Sequence, residues 1–139
     1  MPDHLPDPTE RELAILKVLW NRGEASVRQV YETLRSDLPI VQNTVQAFLR
    51  TMEAKGLVSH RLQGRTFVYS PVLGREPASR NLLSRVLDRV FDGAMDELVE
   101  SALALRKPTA GELDRLRELL DRAEQAKEAD QPPGNEEQP

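Results

Sequence analysis

Apolar residues recur at helical spacing three times in the first half of the chain. Leu13, Ile15, Leu16, Leu19 and Trp20 line a first helix; Val27, Val30, Tyr31 and Leu34 line a second; Val45, Phe48, Leu49 and Met52 line a third. Thr9-Glu10-Arg11-Glu12 and Ser26-Val27-Arg28-Gln29 have the spacing of capping boxes, in which a hydroxyl and a long polar side chain satisfy each other's free backbone N–H groups. Gly23 and Gly56 stand where the first and third helices should stop, and Pro39 breaks the chain before the third. The period then changes. LVSHR (57–61) and RTFVYS (65–70) are short β-prone runs joined by Leu62-Gln63-Gly64, and Pro71 ends the pair. Three helices followed by a basic hairpin predict a winged helix-turn-helix domain over residues 9–74.

From Glu76-Pro77 the pattern is helical again. Leu82, Leu83, Val86, Leu87, Val90 and Phe91 mark one apolar helix, which Gly93 interrupts. Met95, Leu98, Val99, Ala102 and Leu103 mark the next. After Lys107-Pro108, a third capping box at Thr109 and Glu112 opens a final helix carrying Leu113, Leu116, Leu119, Leu120 and Ala123. Three helices of this length cannot bury so many leucines by themselves. Either they pack back on the first domain or they pair with a second copy; pairing is favoured because the first domain already has its own apolar stripes. The expectation is a mainly α chain with a C-terminal three-helix dimerisation region over 75–129. Its interface would use Leu83, Val86, Leu87, Val90, Phe91, Met95, Leu98, Val99, Leu116, Leu119 and Leu120. Residues 1–8 read as a flexible leader. The polar, proline-rich segment 130–139 reads as a disordered tail.

Charge changes the picture locally. The net charge is −4, unpromising for a polyanion partner. Yet residues 1–74 hold nine Lys/Arg against eight Asp/Glu, and residues 75–139 hold ten against fifteen. Between residues 40 and 70, Arg50, Lys55, Arg61 and Arg65 face a single acid, Glu53. The positive field is therefore confined to the third helix and the hairpin.

That helix carries the candidate chemistry. At about 100° per residue, Asn43, Gln46, Ala47 and Arg50 lie opposite its apolar stripe, flanked by Thr44 and Thr51. This outer face has no acid, as a surface aimed at phosphate requires. Asn43 and Gln46 match the N6 and N7 edge of adenine, and the Thr44 and Ala47 methyl groups match that of thymine. Arg50 suits guanine or phosphate. Arg61 and Arg65, on the hairpin, suit the backbone, and Ser26 and Arg28 open a second helix whose free N–H groups suit phosphate. Double-stranded DNA is the expected partner.

Other classes fare worse. There are no cysteines, so disulfides and thiolate chemistry are excluded. His4 and His60 are isolated, and Glu97 and Glu100 read as solvated helix acids, so an enzyme is not expected, nor a metal or other cofactor. No apolar run reaches the roughly 20 residues that span a membrane, and MPDHLPDP does not read as a signal peptide. A cytoplasmic protein without membrane insertion is expected. The rival is a protein–protein adaptor built on the same winged helix; the acid-free face of the third helix argues against it.

The motifs ERELAILKVLW, ASVRQVYETL, NTVQAFLRTMEAKGLV and GRTFVYSP resemble the penicillinase-repressor family, the BlaI/MecI type. NLLSRVLDRVFDGAMDELV is similar to that family's dimerisation helices and TAGELDRLRELL to its last helix, so the resemblance runs from about Thr9 to Arg122. It implies a homodimer that represses transcription from an inverted-repeat operator, with helix-three contacts at Asn43, Thr44 and Gln46 supported by Arg50. It also implies a membrane-bound sensor protease as a partner. The bond cleaved in well-known members lies within an Asn-Phe pair and aligns with Ser101-Ala102 here; neither residue matches. A copper-responsive branch uses C-terminal cysteines, which this chain lacks.

Overall fold

The computed structural model describes residues 7–130. The expected leader up to residue 6 and the expected tail from residue 131 lie outside the described residues. Helix α1 (Glu10–Arg22) is followed by a short strand β1 (Ala25–Ser26), α2 (Val27–Leu34), α3 (Gln42–Lys55) and the strands β2 (Val58–Gln63) and β3 (Thr66–Pro71). Then come α4 (Arg75–Arg89), α5 (Met95–Leu105) and α6 (Ala110–Asp130). Among the described residues no helix is long and apolar enough to cross a membrane. Two compact units divide between Val90 and Phe91.

The first unit is a winged helix. Each apolar stripe ends in one core: Ile15, Leu16 and Leu19 from α1, Val30 and Leu34 from α2, and Val45, Leu49 and Met52 from α3. Leu57 and Tyr69 close it from the sheet side. All three expected capping boxes form, at Thr9/Glu12, Ser26/Gln29 and Thr109/Glu112. Gly56 takes the left-handed conformation that ends α3 (φ 87°) and turns the chain directly into β2.

The sheet differs from the sequence expectation in two respects. It has three strands in the order β1-β3-β2, because Ala25 and Ser26 pair antiparallel with Tyr69 and Val68. A two-residue strand is too short to leave an alternation pattern. The hairpin turn is also displaced: Gln63 still pairs with Thr66, so the loop is Gly64-Arg65 rather than Leu62-Gln63-Gly64. Gly64 has φ +65°, and Arg65 does not have positive φ, the pattern of a tight hairpin with glycine first.

Helix α4 belongs to the first unit and joins it at its own beginning. The Trp20 indole N–H donates to the Leu73 carbonyl at 2.8 Å, the Arg75 guanidinium lies over the Trp20 ring, and Ala78 is buried. Further along α4, Arg85 pairs with Asp7 at 2.9 Å. Around that turn α4 exposes Leu83 and Val86, and Val90 at its C-cap is exposed too. In the second unit, α5 and α6 have no buried residue at all.

Candidate nucleic-acid interface

Helix α3 presents the face the sequence predicts. Val45, Leu49 and Met52 are fully buried, and opposite them Asn43, Thr44, Ala47 and Arg50 are exposed, with Gln46 half-buried. The wing stands beside this face because Gly56 reverses the chain at the end of the helix. Its side chains alternate between two faces, as in any strand. His60, Leu62, Phe67 and Tyr69 share one face: the His60 ring stacks on Phe67 at 4.3 Å and tilts against Tyr69 at 5.5 Å. The His60 Nδ1 lies 2.7 and 2.9 Å from the two carboxylate oxygens of Glu53, which ties the wing to α3. Burial pushes the Tyr69 phenol up, the Glu53 charge adds to this, and the Arg50 charge opposes it.

A cleft of about 640 Å³ opens where α2, α3 and the wing converge. Its walls are Ser26, Val27 and Arg28 at the start of α2, Gln42, Gln46 and Arg50 on α3, and Arg65, Thr66 and Phe67 on the wing. The fold thus gathers five of the sequence candidates (Ser26, Arg28, Gln46, Arg50 and Arg65) from three separate elements. Asn43, Thr44 and Ala47 share the exposed face of α3 but do not line the cleft. Sequence reasoning missed Gln42, Thr66 and Phe67, and placed Val27 only on the apolar stripe of α2. Gln42 was findable, being one turn before Gln46; Thr66 and Phe67 depend on the true position of the turn.

The basic residues divide into free and held. Arg50 and Arg65 have no carboxylate partner among the described residues. Arg28 Nε lies 3.3 Å from Glu32. Arg61 is held more firmly: its Nη2 donates to Glu24 at 2.7 Å and its Nε at 3.3 Å, and Nη2 also reaches Gln63 at 3.2 Å. The hydrogen bond it donates to Glu24, and then the Glu24 charge, hold the guanidinium above its ordinary value. Arg61 sits on the wing face opposite His60, so it and Arg65 are not equivalent. The Ser26 hydroxyl is engaged as the α2 cap, accepting from the Gln29 N–H at 3.2 Å.

The chain matches a protein family over residues 8–122: the one described as Penicillinase repressor. Among curated proteins it is similar to a penicillinase repressor of Bacillus licheniformis, 24% identical over 84% of this chain and 91% of that one. It is also similar to the transcriptional regulator BlaI of Mycobacterium tuberculosis, 31% identical over 78% of this chain and 79% of that one. Among solved structures, the DNA-binding domain of the repressor BlaI is 26% identical, with 55% of this chain and 93% of that chain covered and a TM-score of 0.48.

Proposed function

Because the chain belongs to the penicillinase repressor family, we propose that it represses transcription as a homodimer, each winged helix reading one half of an inverted-repeat operator. The family is one of transcriptional repressors, not of enzymes. The observation that supports the reading is the convergence of Gln46 and Arg50 on α3 with Arg65 on the wing around one cleft. Helix α3 then enters the major groove, where Asn43 and Gln46 read adenine and Thr44 and Ala47 touch thymine methyl groups. Arg65, Arg28 and the start of α2 take the flanking phosphates, which position the helix without reading sequence. This work is done in the cytoplasm.

The reading extends to relief of repression through a membrane-bound sensor protease. The bond that aligns with the family's cleavage site, Ser101-Ala102, lies on the exposed surface of α5. Its residues differ from Asn-Phe, so cleavage at that bond is not expected, and a fragment ending at Ser101 in induced cells would overturn this.

The test is retention of a duplex from the gene's own upstream region by the purified protein, at low and high salt. Wild-type protein is expected to shift that duplex at low salt and to release it as salt rises. Gln46→Ala should cost about 1–3 kcal/mol of binding, and Arg50→Ala a similar amount, both with the fold intact because the two side chains point away from the core. Absence of a shift at low salt leaves the adaptor reading instead. A shift that neither substitution weakens moves the contact off α3.

A further inference from the structure

Arg61 is the one wing arginine that the cleft does not use, and its place is unusual. Its partner Glu24 immediately precedes β1, which is two strands away across the β1-β3-β2 order. Neighbouring strands are about 4.8 Å apart, so both long side chains extend over β3 to meet. They do so on the outer face of the wing, where Val68 lies between Ser26 and Arg61 in the strand register. A shallow recess of about 270 Å³ lies alongside, walled by Ser26, Arg28, Gln29, Gln63 and Thr66, which offer hydroxyl, amide and guanidinium donors, and by Glu32. Both members of the pair are about half exposed. Neither is a cap or a core residue; Ser26 caps α2 without help from Glu24.

We propose that Glu24 limits the affinity of this domain for DNA by competing with a backbone phosphate for Arg61. The proposal rests on the DNA-binding reading above. With Glu24 in place, the guanidinium is occupied and the carboxylate repels the strand that would pass along the recess. An exposed ion pair of this kind adds little to folding, so removing the Glu24 charge should free the guanidinium for a phosphate without unfolding the domain. The contrast with Arg50 and Arg65, which no carboxylate among the described residues holds, marks Arg61 as a reserve contact rather than a standing one.

The experiment uses the full chain with Glu24→Gln, Arg61→Ala and the double substitution. Each is titrated onto a mixed-sequence duplex, because a phosphate contact is independent of sequence, across salt concentrations from about 50 to 300 mM. One additional phosphate contact steepens the log–log salt dependence by about 0.9, which amounts to about fivefold tighter binding near 0.15 M salt relative to 1 M. Glu24→Gln should show both effects. Arg61→Ala should change binding less than about twofold in the wild-type background and abolish the gain in the Glu24→Gln background. Unchanged or weaker binding by Glu24→Gln overturns the proposal, and so does a gain that survives Arg61→Ala. Failure of the wild-type chain to bind the duplex at the lowest salt is a separate outcome, which removes the DNA-binding reading and this proposal together.

Discussion

Glu12 serves two elements from one buried point. As the third residue of α1 it accepts the Thr9 N–H at 3.0 Å, and its two oxygens also accept from Lys55 Nζ at 3.0 and 2.8 Å, which ties the start of α1 to the end of α3. Its side chain is 2% exposed, whereas Lys55 is about one-third exposed. Burial pushes the carboxyl up, but the Lys55 and Thr9 hydrogen bonds and the Lys55 charge together outweigh it and leave the group below its usual value of 4.5. The stability this supplies is therefore complete above the usual carboxylate range and is lost as pH falls through the lower folded value. Lys55→Met should cost about 2–3 kcal/mol near neutral pH, because removing one partner strands a buried charge; the partial exposure of Lys55 keeps the loss below that of a fully buried pair. The deficit should narrow at acid pH, where the stranded carboxyl takes up a proton. Denaturant unfolding at the two pH values measures it, and an equal deficit at both would show that the charge is not what matters. The cap half of this arrangement was legible in the sequence as T-x-x-E. The lysine half was not, since 43 residues separate the partners and local pattern carries no signal over that distance.

Elements were more legible than the joints between them. The stripes of α1, α2 and α3 gave the helices and their buried faces directly, because a period of 3.6 repeats often enough in 8 to 14 residues to be seen. The two-residue β1 has no period, so the third strand was invisible. The wing was found, but its turn was set too early, and in a strand the assignment of every side chain to a face depends on register. For that reason Arg61 and Arg65 looked like a matched pair, whereas one lines the cleft and the other is held by Glu24 on the opposite face. The turn is also where the wing is most easily disturbed. A Cβ on Gly64 would meet nothing within 4 Å, yet φ +65° is strained for any L side chain. Gly64→Ala should cost about 1 kcal/mol, confined to the hairpin. DNA affinity should fall as Arg65 shifts, while thermal unfolding of the α1–α3 core moves by only a few degrees. Unchanged affinity would show that the wing tip makes no contact with DNA.

At the scale of the whole molecule, the question is what the second unit is for. Helices α5 and α6 contain no buried residue, and Met95 and Leu120 are 63% and 65% exposed; Val90, which caps the end of α4 in the first unit, is 67% exposed. Such a surface in water is an aggregation liability, and the proposed second copy, always present at equal concentration, would cover it. Pairing also answers the weakness of the reading head, whose half of the chain carries nine basic residues against eight acidic. Joining two heads on one inverted repeat turns the second binding event into an intramolecular one, worth about 10²- to 10⁴-fold in affinity without any new contact. The two associations should respond to salt in opposite ways. DNA binding weakens as counterions compete for phosphate. Self-association strengthens, because residues 75–139 hold fifteen acidic against ten basic residues and two like-charged copies must approach. In the full chain, Met95→Glu with Leu120→Glu should leave the winged-helix unit folded, since both positions are exposed in the single chain and surface substitutions typically change stability by about 0.5 kcal/mol or less. The same substitutions place two carboxylates per copy in the expected interface, so light scattering should read twice the chain mass for the wild type and the single mass for the variant. Operator affinity should then drop by about the 10²- to 10⁴-fold that linkage supplies, with half-site binding retained. A wild-type chain that is monomeric at tens of micromolar, or a variant that still reads as a dimer, would move the self-association surface away from these helices.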